Sequence, residues 1–361
     1  MTQKKTRDSN MELLRLMAML LVMMVHASYR ALPKPTPDSI TDDPVSSFLQ
    51  ISTESFTIMA VNVFVMLSGW YGIRLRWKRL GELLFQVFFF GVLCLVLFSY
   101  LQTLVLPYTV PASKPPVTTL FMLGENDYWF VKTYIALYLC SPLLNAFVEK
   151  ATRQQMALAL TSLFIFQWVF GWVFEATSWL RAGYSLPSFA CLYLLARYIS
   201  IHRPRFAQQS RWTDLAVYIG TCTFVTIAYF FLKRHFNFGG VLLYYNSPTT
   251  IVSATAFLLF FSKLRLKSRV INWLAVSALA VYLTHSSSYL AKYYDHTIVY
   301  WHDTLSRPSF LLHATFFIAI VFFGSILIDK VRLFVWSRLM TFTAYKDHRS
   351  PNNEGDKDDE Q

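Results

Sequence analysis

Long apolar runs separated by short polar segments cover most of the chain. A helix that crosses the hydrocarbon core of a bilayer needs about 20 mostly apolar residues. On that criterion the sequence predicts ten membrane-spanning helices. They lie near residues 12–31, 47–71, 81–106, 127–148, 156–175, 184–201, 214–233, 242–262, 272–292 and 309–329. We therefore expect an all-α, polytopic integral membrane protein built as a helical bundle.

The polar segments between these runs fall into two sets that differ in their basic residues. The first set is rich in Lys and Arg, as in RLRWKRL, HRPRFAQQSR and KLRLKSR. The second set has fewer basic residues and is rich in Pro, Thr, Asp and aromatic residues, as in LPKPTPDSITDDP. Loops rich in Lys and Arg stay on the cytoplasmic side of a membrane. With ten spans, both termini are then expected to be cytoplasmic. The transmembrane domain would cover residues 1–335, and residues 336–361 would form a disordered cytoplasmic tail.

The composition supports the membrane class and argues against other classes. Of 361 residues, 55% are hydrophobic and only 15% are charged, whereas a soluble protein carries about 25% charged residues. The net charge of +12 comes from residues that flank the spans and form no basic patch with interleaved aromatic residues, so nucleic acid is not an expected partner. Four single cysteines and no His–carboxylate cluster with ligand spacing predict neither a disulfide framework nor a metal site.

The first predicted span carries three ionisable residues: Glu12, Arg15 and His26. On a helix, Arg15 and His26 point in directions about 20° apart and lie about 16 Å apart along the axis. Glu12 lies three residues before Arg15, on the same face. Exposing this polar stripe to lipid would cost several kcal/mol, so it should face the bundle interior or a wet cavity. An ion pair with Arg15 would explain Glu12, whereas His26 also suits proton transfer near neutral pH.

This first span resembles the membrane acyltransferase-3 family, whose first helix carries an arginine and a histidine separated by ten residues. Four further stretches resemble the same family in the same order: NVFVMLSGWYGIRLRWKRL with its R-x-x-R pair (Arg76 and Arg79), NDYWFVKTYIALYLCSPLLN, YYNSPTTIVSATAFLLF and SALAVYLTHSSSYL. In the last stretch a serine follows His285 where many members have proline. Members of the family transfer acyl groups, usually acetyl, to sugars of cell-surface polysaccharides.

The resemblance implies an O-acyltransferase of the bacterial inner membrane that uses acetyl-CoA, or another small acyl-CoA, as co-substrate and has no permanently bound cofactor. The acceptor would be a sugar hydroxyl of a surface polysaccharide or of a lipid-linked glycan. Acyl transfer needs a base, a stabilised oxyanion and a positioned donor. His26 is the candidate base or a transient acyl carrier, Arg15 would bind phosphate or a carbonyl oxygen, and His285 is the third catalytic candidate.

The candidate binding residues form two groups. A basic loop would bind the phosphates of coenzyme A through charge-assisted hydrogen bonds, although cytoplasmic topology alone would also enrich basic residues here. This loop contains Arg74, Arg76, Lys78 and Arg79. The second group is expected near the outer face and in the second span, where it would bind the sugar, and contains Asn126, Trp129, Lys132 and Glu54.

A transporter or flippase for a lipid-linked or polymeric glycan is the alternative function. Polar residues that face a wet cavity in a helical bundle serve transport as well as catalysis. The stripe from Arg15 to His26 and the R-x-x-R loop favour chemistry with an anionic donor over glycan export. In either case the chain is expected to contact membrane lipids over much of its surface.

Overall fold

A computed structural model describes residues 8–108, 120–122, 124, 128–174 and 178–347. Regular structure in these residues is helical, and no β-strand occurs among them. The α-helices, in chain order, are α1 Ser9–Val25, α2 Pro37–Asp42, α3 Pro44–Thr57, α4 Ala60–Tyr71, α5 Trp77–Leu101, α6 Trp129–Lys150, α7 Arg153–Trp168, α8 Leu186–His202, α9 Arg211–Phe236, α10 Pro248–Ser262, α11 Arg269–Ala275, α12 Ala278–His285, α13 Ala291–Thr304 and α14 Arg307–Asp347. The predicted all-α class is confirmed.

Seven helical segments in the described part of the chain are long and apolar enough to cross a membrane. They are Ser9–Arg30, Pro44–Tyr71, Trp77–Leu101, Trp129–Lys150, Arg153–Val173, Arg211–Phe236 and Arg307–Thr341. Each of them coincides with one of the ten predicted spans. A multi-pass helical membrane protein is therefore the architecture that both the apolar pattern and the helices indicate.

The other three predicted spans contain shorter helices, so the count of ten is not confirmed. Helix α8 has 17 residues and α10 has 15. Both begin with a proline in the first turn, which fixes the helix start inside the apolar run. The ninth predicted span is divided into α11 and α12 at Ser277, whose hydroxyl accepts a hydrogen bond of 2.9 Å from Lys330 of α14. Hydropathy depends only on how apolar a stretch is, so it does not detect a helix that starts late or is divided in two.

Helix α1 lies inside the bundle. It packs against α3, α4, α10, α11 and α12, and Leu14, Ala18 and Met23 on it are fully buried. A helix with neighbours on so many sides can carry polar residues without exposing them to lipid. This position supports the expected inward orientation of its polar stripe.

The C-terminal helix α14 extends beyond the predicted end of the transmembrane domain. It continues to Asp347, so the first residues of the expected tail are helical, and residues 348–361 lie outside the described range. No proline or glycine interrupts the chain between residues 325 and 347, so the helix has no local stop signal there.

Helices α4 and α8 approach each other through backbone atoms at Gly69. A Cβ atom added to Gly69 would lie 2.5 Å from the carbonyl oxygen of Tyr193 and 2.9 Å from the Cβ of Ala196. Real Cβ contacts are longer than this, so a larger residue at Gly69 would push the two helices apart. The close approach matters because α4 leads directly into the predicted basic loop, of which Arg74 and Arg76 lie between α4 and α5 and Lys78 and Arg79 lie in the first turn of α5.

We therefore expect Gly69→Ala to destabilise the protein by about 1–3 kcal/mol, the usual cost of overpacking. The measurement is the thermal unfolding temperature of the purified protein in detergent. Gly220→Ala in α9 is the matched control, because a Cβ at Gly220 meets nothing within 4 Å and alanine favours the helix. Equal unfolding temperatures for the two variants would contradict the close contact.

Candidate active site

Two histidines from opposite ends of the chain meet in the bundle. His26 follows the last residue of α1 and starts a π-helical turn, His26–Arg30, and His285 is the last residue of α12. Nδ1 of His26 lies 2.9 Å from Nε2 of His285, although 259 positions separate the residues in sequence. Turns of π-helix often occur at functional sites. The structure thus brings two of the three predicted catalytic residues into direct contact.

The hydrogen bond at Nδ1 of His285 determines whether its Nε2 can accept a hydrogen bond from His26. Nδ1 of His285 lies 2.6 Å from the carbonyl oxygen of Val281. A carbonyl oxygen only accepts hydrogen bonds, so this Nδ1 carries a hydrogen. A neutral His285 therefore presents an unprotonated Nε2 to His26. When His26 donates its Nδ1–H to that nitrogen, its own Nε2 remains as an unprotonated, basic nitrogen.

Arg30 contacts both histidines and is itself held by a carboxylate. Its Nη1 lies 2.9 Å from Nδ1 of His26, and its Nη2 lies 3.3 Å from the carbonyl oxygen of His285. Asp295 accepts three hydrogen bonds of 2.8–3.0 Å from Nε and Nη2 of Arg30. A bidentate pair of this kind fixes the plane of the guanidinium.

Arg30 and His285 compete for the same nitrogen of His26. If Arg30 donates to Nδ1, the hydrogen of a neutral His26 lies on Nε2. If Nδ1 carries the hydrogen and donates it to His285, Nε2 is basic. Ser286 also contributes, since its hydroxyl oxygen lies 3.3 Å from Nδ1. The arrangement therefore controls which nitrogen of His26 holds the hydrogen.

Two neighbouring cavities extend along α1. The smaller, of about 20 Å³, is lined by His26 and by apolar and aromatic side chains that include Trp129, Tyr245 and Tyr282; we call it the His26 cavity. The larger, of about 350 Å³, is lined by Arg15 and Arg79 among other residues; we call it the arginine vestibule. Three side chains line both cavities: Met19, Phe64 and Phe130.

The polar stripe of α1 thus faces the bundle interior, as the sequence predicts. Arg15 borders the arginine vestibule and His26 borders the His26 cavity. Arg15 also forms the expected ion pair with Glu12. Its side chain keeps about a third of its surface exposed, so the ion pair leaves part of the guanidinium open to the vestibule.

Only one residue of the basic loop reaches the arginine vestibule. Arg79, in the first turn of α5, lines it. Arg74, Arg76 and Lys78 are exposed, as Arg79 is, but they do not line the vestibule. The two arginines that line the same cavity are therefore Arg15 and Arg79. No signal in the sequence distinguishes Arg79 from its neighbours, because the distinction depends on how the helices pack.

The backbone of the basic loop is held by side chains from α6 and α8. The hydroxyl of Tyr138 accepts a hydrogen bond of 3.0 Å from the backbone N–H of Arg76. The hydroxyl of Tyr193 accepts one of 3.0 Å from Ile73 N–H, and Asn145 donates one of 2.7 Å to the Ile73 carbonyl. A loop that served only as a topology signal would not need these contacts.

Three of the four predicted sugar-binding residues lie in the described part of the chain. Trp129 lines the His26 cavity and stacks on Tyr245, with ring centroids 5.8 Å apart. Lys132 donates a hydrogen bond of 2.7 Å to the carbonyl of Gly124. Glu54 is buried, and its Oε2 accepts no hydrogen bond in the described part of the chain, but it does not line the His26 cavity. Asn126 lies outside the described residues.

Several polar residues near these cavities were not predicted from the sequence. Arg30 lies one helical turn after His26, a spacing that could have identified it. Asp295 lies between the ninth and tenth predicted spans, and no local pattern marks it. Gln86 lines the vestibule and donates a hydrogen bond of 3.0 Å to Asp329 of α14. Within the described residues, no group of three or more His, Cys, Asp or Glu side chains could hold a metal ion.

Comparison with protein families gives an independent assignment. The profile of an acyltransferase domain, Acyl_transf_3, matches residues 8–330. The chain belongs to the acyltransferase-3 family. The match covers α1 through most of α14 and includes both histidines, Arg15 and the basic loop. No curated protein and no solved structure matches the chain.

For this acyltransferase-3 protein, the anchoring of Arg30 can be tested through Asp295. Asp295→Asn removes the charge that holds the guanidinium, and hydrogen bonds to charged groups contribute about 1.5–3 kcal/mol. We expect a lower thermal unfolding temperature in detergent. Asp303→Asn, on the same helix, is the matched control, because Asp303 forms an exposed pair with His302 and such pairs contribute about 0–1 kcal/mol. Equal losses in both variants would contradict a special role for Asp295.

Proposed function

We propose that the protein is an integral membrane O-acyltransferase that moves acetyl, or another small acyl group, from acyl-CoA to a sugar hydroxyl of a cell-surface polysaccharide. The observation that carries the proposal is the contact of His26 with His285 at a cavity adjoining a vestibule with two arginines. The expected location is the bacterial inner membrane. The vestibule, the basic loops and both termini would face the cytoplasm, since Lys and Arg concentrate there.

Arg15 and Arg79 are the residues that would hold the donor. Coenzyme A carries phosphate groups, and guanidinium groups bind phosphate through paired, charge-assisted hydrogen bonds. The volume of about 350 Å³ lies in the usual range for small-molecule sites, about 300–1,000 Å³. From such a position the thioester end of the donor would extend along α1 toward His26.

His26 would act through Nε2 while His285 accepts the hydrogen bond from its Nδ1–H. In direct transfer, Nε2 takes the proton of the sugar hydroxyl as the oxygen forms a bond to the thioester carbonyl carbon. The carbon–sulfur bond then breaks, and the thiolate takes the proton from His26 to leave as a thiol. Tyr245, Tyr282 and Trp129 line the same cavity, and their O–H and N–H groups would stabilise the oxyanion.

A covalent route uses the same nitrogen. Nε2 attacks the thioester carbonyl carbon, the carbon–sulfur bond breaks, and coenzyme A departs as a thiolate while the acyl group rests on an imidazolium. The sugar oxygen then bonds to the acyl carbon, the carbon–nitrogen bond breaks, and the proton of the hydroxyl goes to the thiolate. His285 would serve this route equally well, because it keeps the proton of His26 on Nδ1. Both routes therefore require the same tautomer of His26.

The sugar would approach from the side of the aromatic cluster at Trp129. The Trp129 ring lies 4.5 Å from that of Tyr184, and Tyr184 lies 4.9 Å from Tyr245, between ring centroids. Aromatic rings of this kind suit the apolar faces of sugars, and the roles of Glu54, Lys132 and Asn126 in binding stay predictions.

The donor site predicts different effects for neighbouring basic residues. Arg79→Ala should raise the KM for acetyl-CoA about tenfold to a hundredfold, the equivalent of one lost hydrogen bond to a charged group. Lys78→Ala is the matched control and should change the KM much less, because Lys78 does not line the vestibule. The measurement is transfer of labelled acetyl groups to glycan in membrane vesicles. A larger effect at Lys78 would move the donor away from the vestibule.

Substitution of His26 distinguishes the proposed acyltransferase from the alternative glycan transporter. His26→Ala should lower acyl transfer by about 10²–10⁴-fold, the contribution of a general base. His26→Gln keeps a similar volume but cannot take a proton, and should fail as well. Cells with either variant should export a normal amount of polysaccharide that lacks acyl groups, as measured by mass analysis at matched protein abundance. Lost export, or normal acyl content, would remove His26 from this role.

A further inference from the structure

Gln86 is a buried polar residue in the wall of the arginine vestibule. It lies on α5, and only 7% of its surface is exposed. It follows Arg79 by seven residues, so the two side chains point in directions about 20° apart and lie about 10 Å apart along the helix axis. Arg79, Leu83 and Gln86 therefore line the vestibule from one face of α5.

The side-chain amide of Gln86 has a fixed orientation. Its Nε2 donates a hydrogen bond of 3.0 Å to Oδ1 of Asp329 on α14. Asp329 is fully buried, and its carboxylate also accepts hydrogen bonds of 2.9 and 3.1 Å from Nε and Nη2 of Arg332. A carboxylate paired with a guanidinium only accepts hydrogen bonds. The amide nitrogen of Gln86 must therefore face Asp329, and the amide oxygen must point elsewhere.

The amide oxygen of Gln86 is an unused hydrogen-bond acceptor. Among the described residues, none donates a hydrogen bond to it. Polar groups in protein interiors are normally paired, so a free acceptor in the wall of a cavity suits a ligand group that carries an N–H or O–H. An ionised phosphate would not fit, because its oxygens are acceptors only.

The position of Gln86 along α5 indicates which part of the donor meets it. Helix α5 continues to Cys94, whose thiol lies 3.8 Å from the carbonyl oxygen of Leu283, two residues before His285. Gln86 thus lies between the level of Arg79, proposed to hold phosphate, and the level of the two histidines. In coenzyme A, the arm between the phosphates and the sulfur is pantetheine, which carries two amide groups with one N–H each.

We propose that Gln86 is a donor-binding residue whose amide oxygen accepts a hydrogen bond from an amide N–H of the pantetheine arm of acyl-CoA. This proposal rests on the proposed function and specifies how its donor is recognised. Arg15 and Arg79 bind negative charge, which many phosphorylated molecules carry. Gln86 instead recognises an uncharged N–H group farther along the donor, and Asp329 acts through Gln86 by holding its amide nitrogen.

The test is a double-mutant cycle between Gln86 and the donor, measured as transfer of labelled acetyl groups to glycan in membrane vesicles. Two analogues of acetyl-CoA each have one pantetheine N–H group replaced by a methylene. With wild type, one analogue should have a KM about three- to tenfold higher than that of acetyl-CoA, the effect of one lost hydrogen bond. Gln86→Leu should raise the KM for acetyl-CoA by a similar factor, and its loss and that of the analogue should not add.

Gln102→Leu is the matched control. Gln102 follows the last residue of α5 and donates a hydrogen bond of 2.7 Å to the hydroxyl of Tyr293, but it does not line the vestibule. Its KM values for the three donors should equal those of wild type. Gln86→Met, which also lacks the amide, is the second variant and should reproduce Gln86→Leu.

Several results would overturn the contact. Wild type that uses all three donors with the same KM would do so without any variant, so the test does not depend on how a variant folds. So would losses that multiply when variant and analogue are combined, or a wild-type KM in Gln86→Leu at normal abundance. Wild type that shows no acetyl transfer dependent on His26 would instead refute the proposed function, and this contact with it.

Discussion

The fork of hydrogen bonds from Arg30 to Asp295 is the interaction on which the candidate site depends. The carboxylate fixes the guanidinium, and the guanidinium contacts Nδ1 of His26 and the backbone of His285. It thereby connects the end of α1, the end of α12 and the start of α13 at one point. Both side chains of the pair are only partly buried, 29% and 25% exposed, so the pair contributes mainly by fixing the orientation of the guanidinium. Without Asp295, Arg30 would keep only its contacts with His26 and with the carbonyl of His285, and the plane of its guanidinium would be less well fixed.

Around this point the helices are irregular, and the irregularities position the side chains. Helix α1 widens into a π turn at His26, and α12 ends at His285 where the chain turns. A straight helix through either residue would direct the following side chains elsewhere. Backbone groups freed at such places are tolerated inside a membrane when they are buried in protein. The two histidines of the site therefore lie where α1 and α12 depart from regular α-helical geometry.

The arginine vestibule is assembled from segments far apart in sequence. Arg15 lies on α1 and Arg79 in the first turn of α5, and both line the vestibule. The close contact of Gly69 with α8 positions the end of α4, which leads into the basic segment. Side chains of Tyr138, Tyr193 and Asn145 then fix the loop itself. Positive charge near the membrane surface is common, but a segment whose backbone is fixed just before α5 can direct the guanidinium of Arg79 into a cavity.

The sequence by itself determined the all-helical membrane class, seven of the spans, the family, and the face of α1 that carries Arg15 and His26. These follow from apolar run length and from a helical period, which are properties of neighbouring residues. Only the tertiary structure decided that His26 meets His285, that Arg30 and Asp295 hold both, and that Arg79 alone of its basic loop reaches the vestibule. It also decided where α11 and α12 separate, because Lys330 from α14 binds at the break. Contacts between residues far apart in sequence depend on how helices pack, and no local pattern encodes that packing.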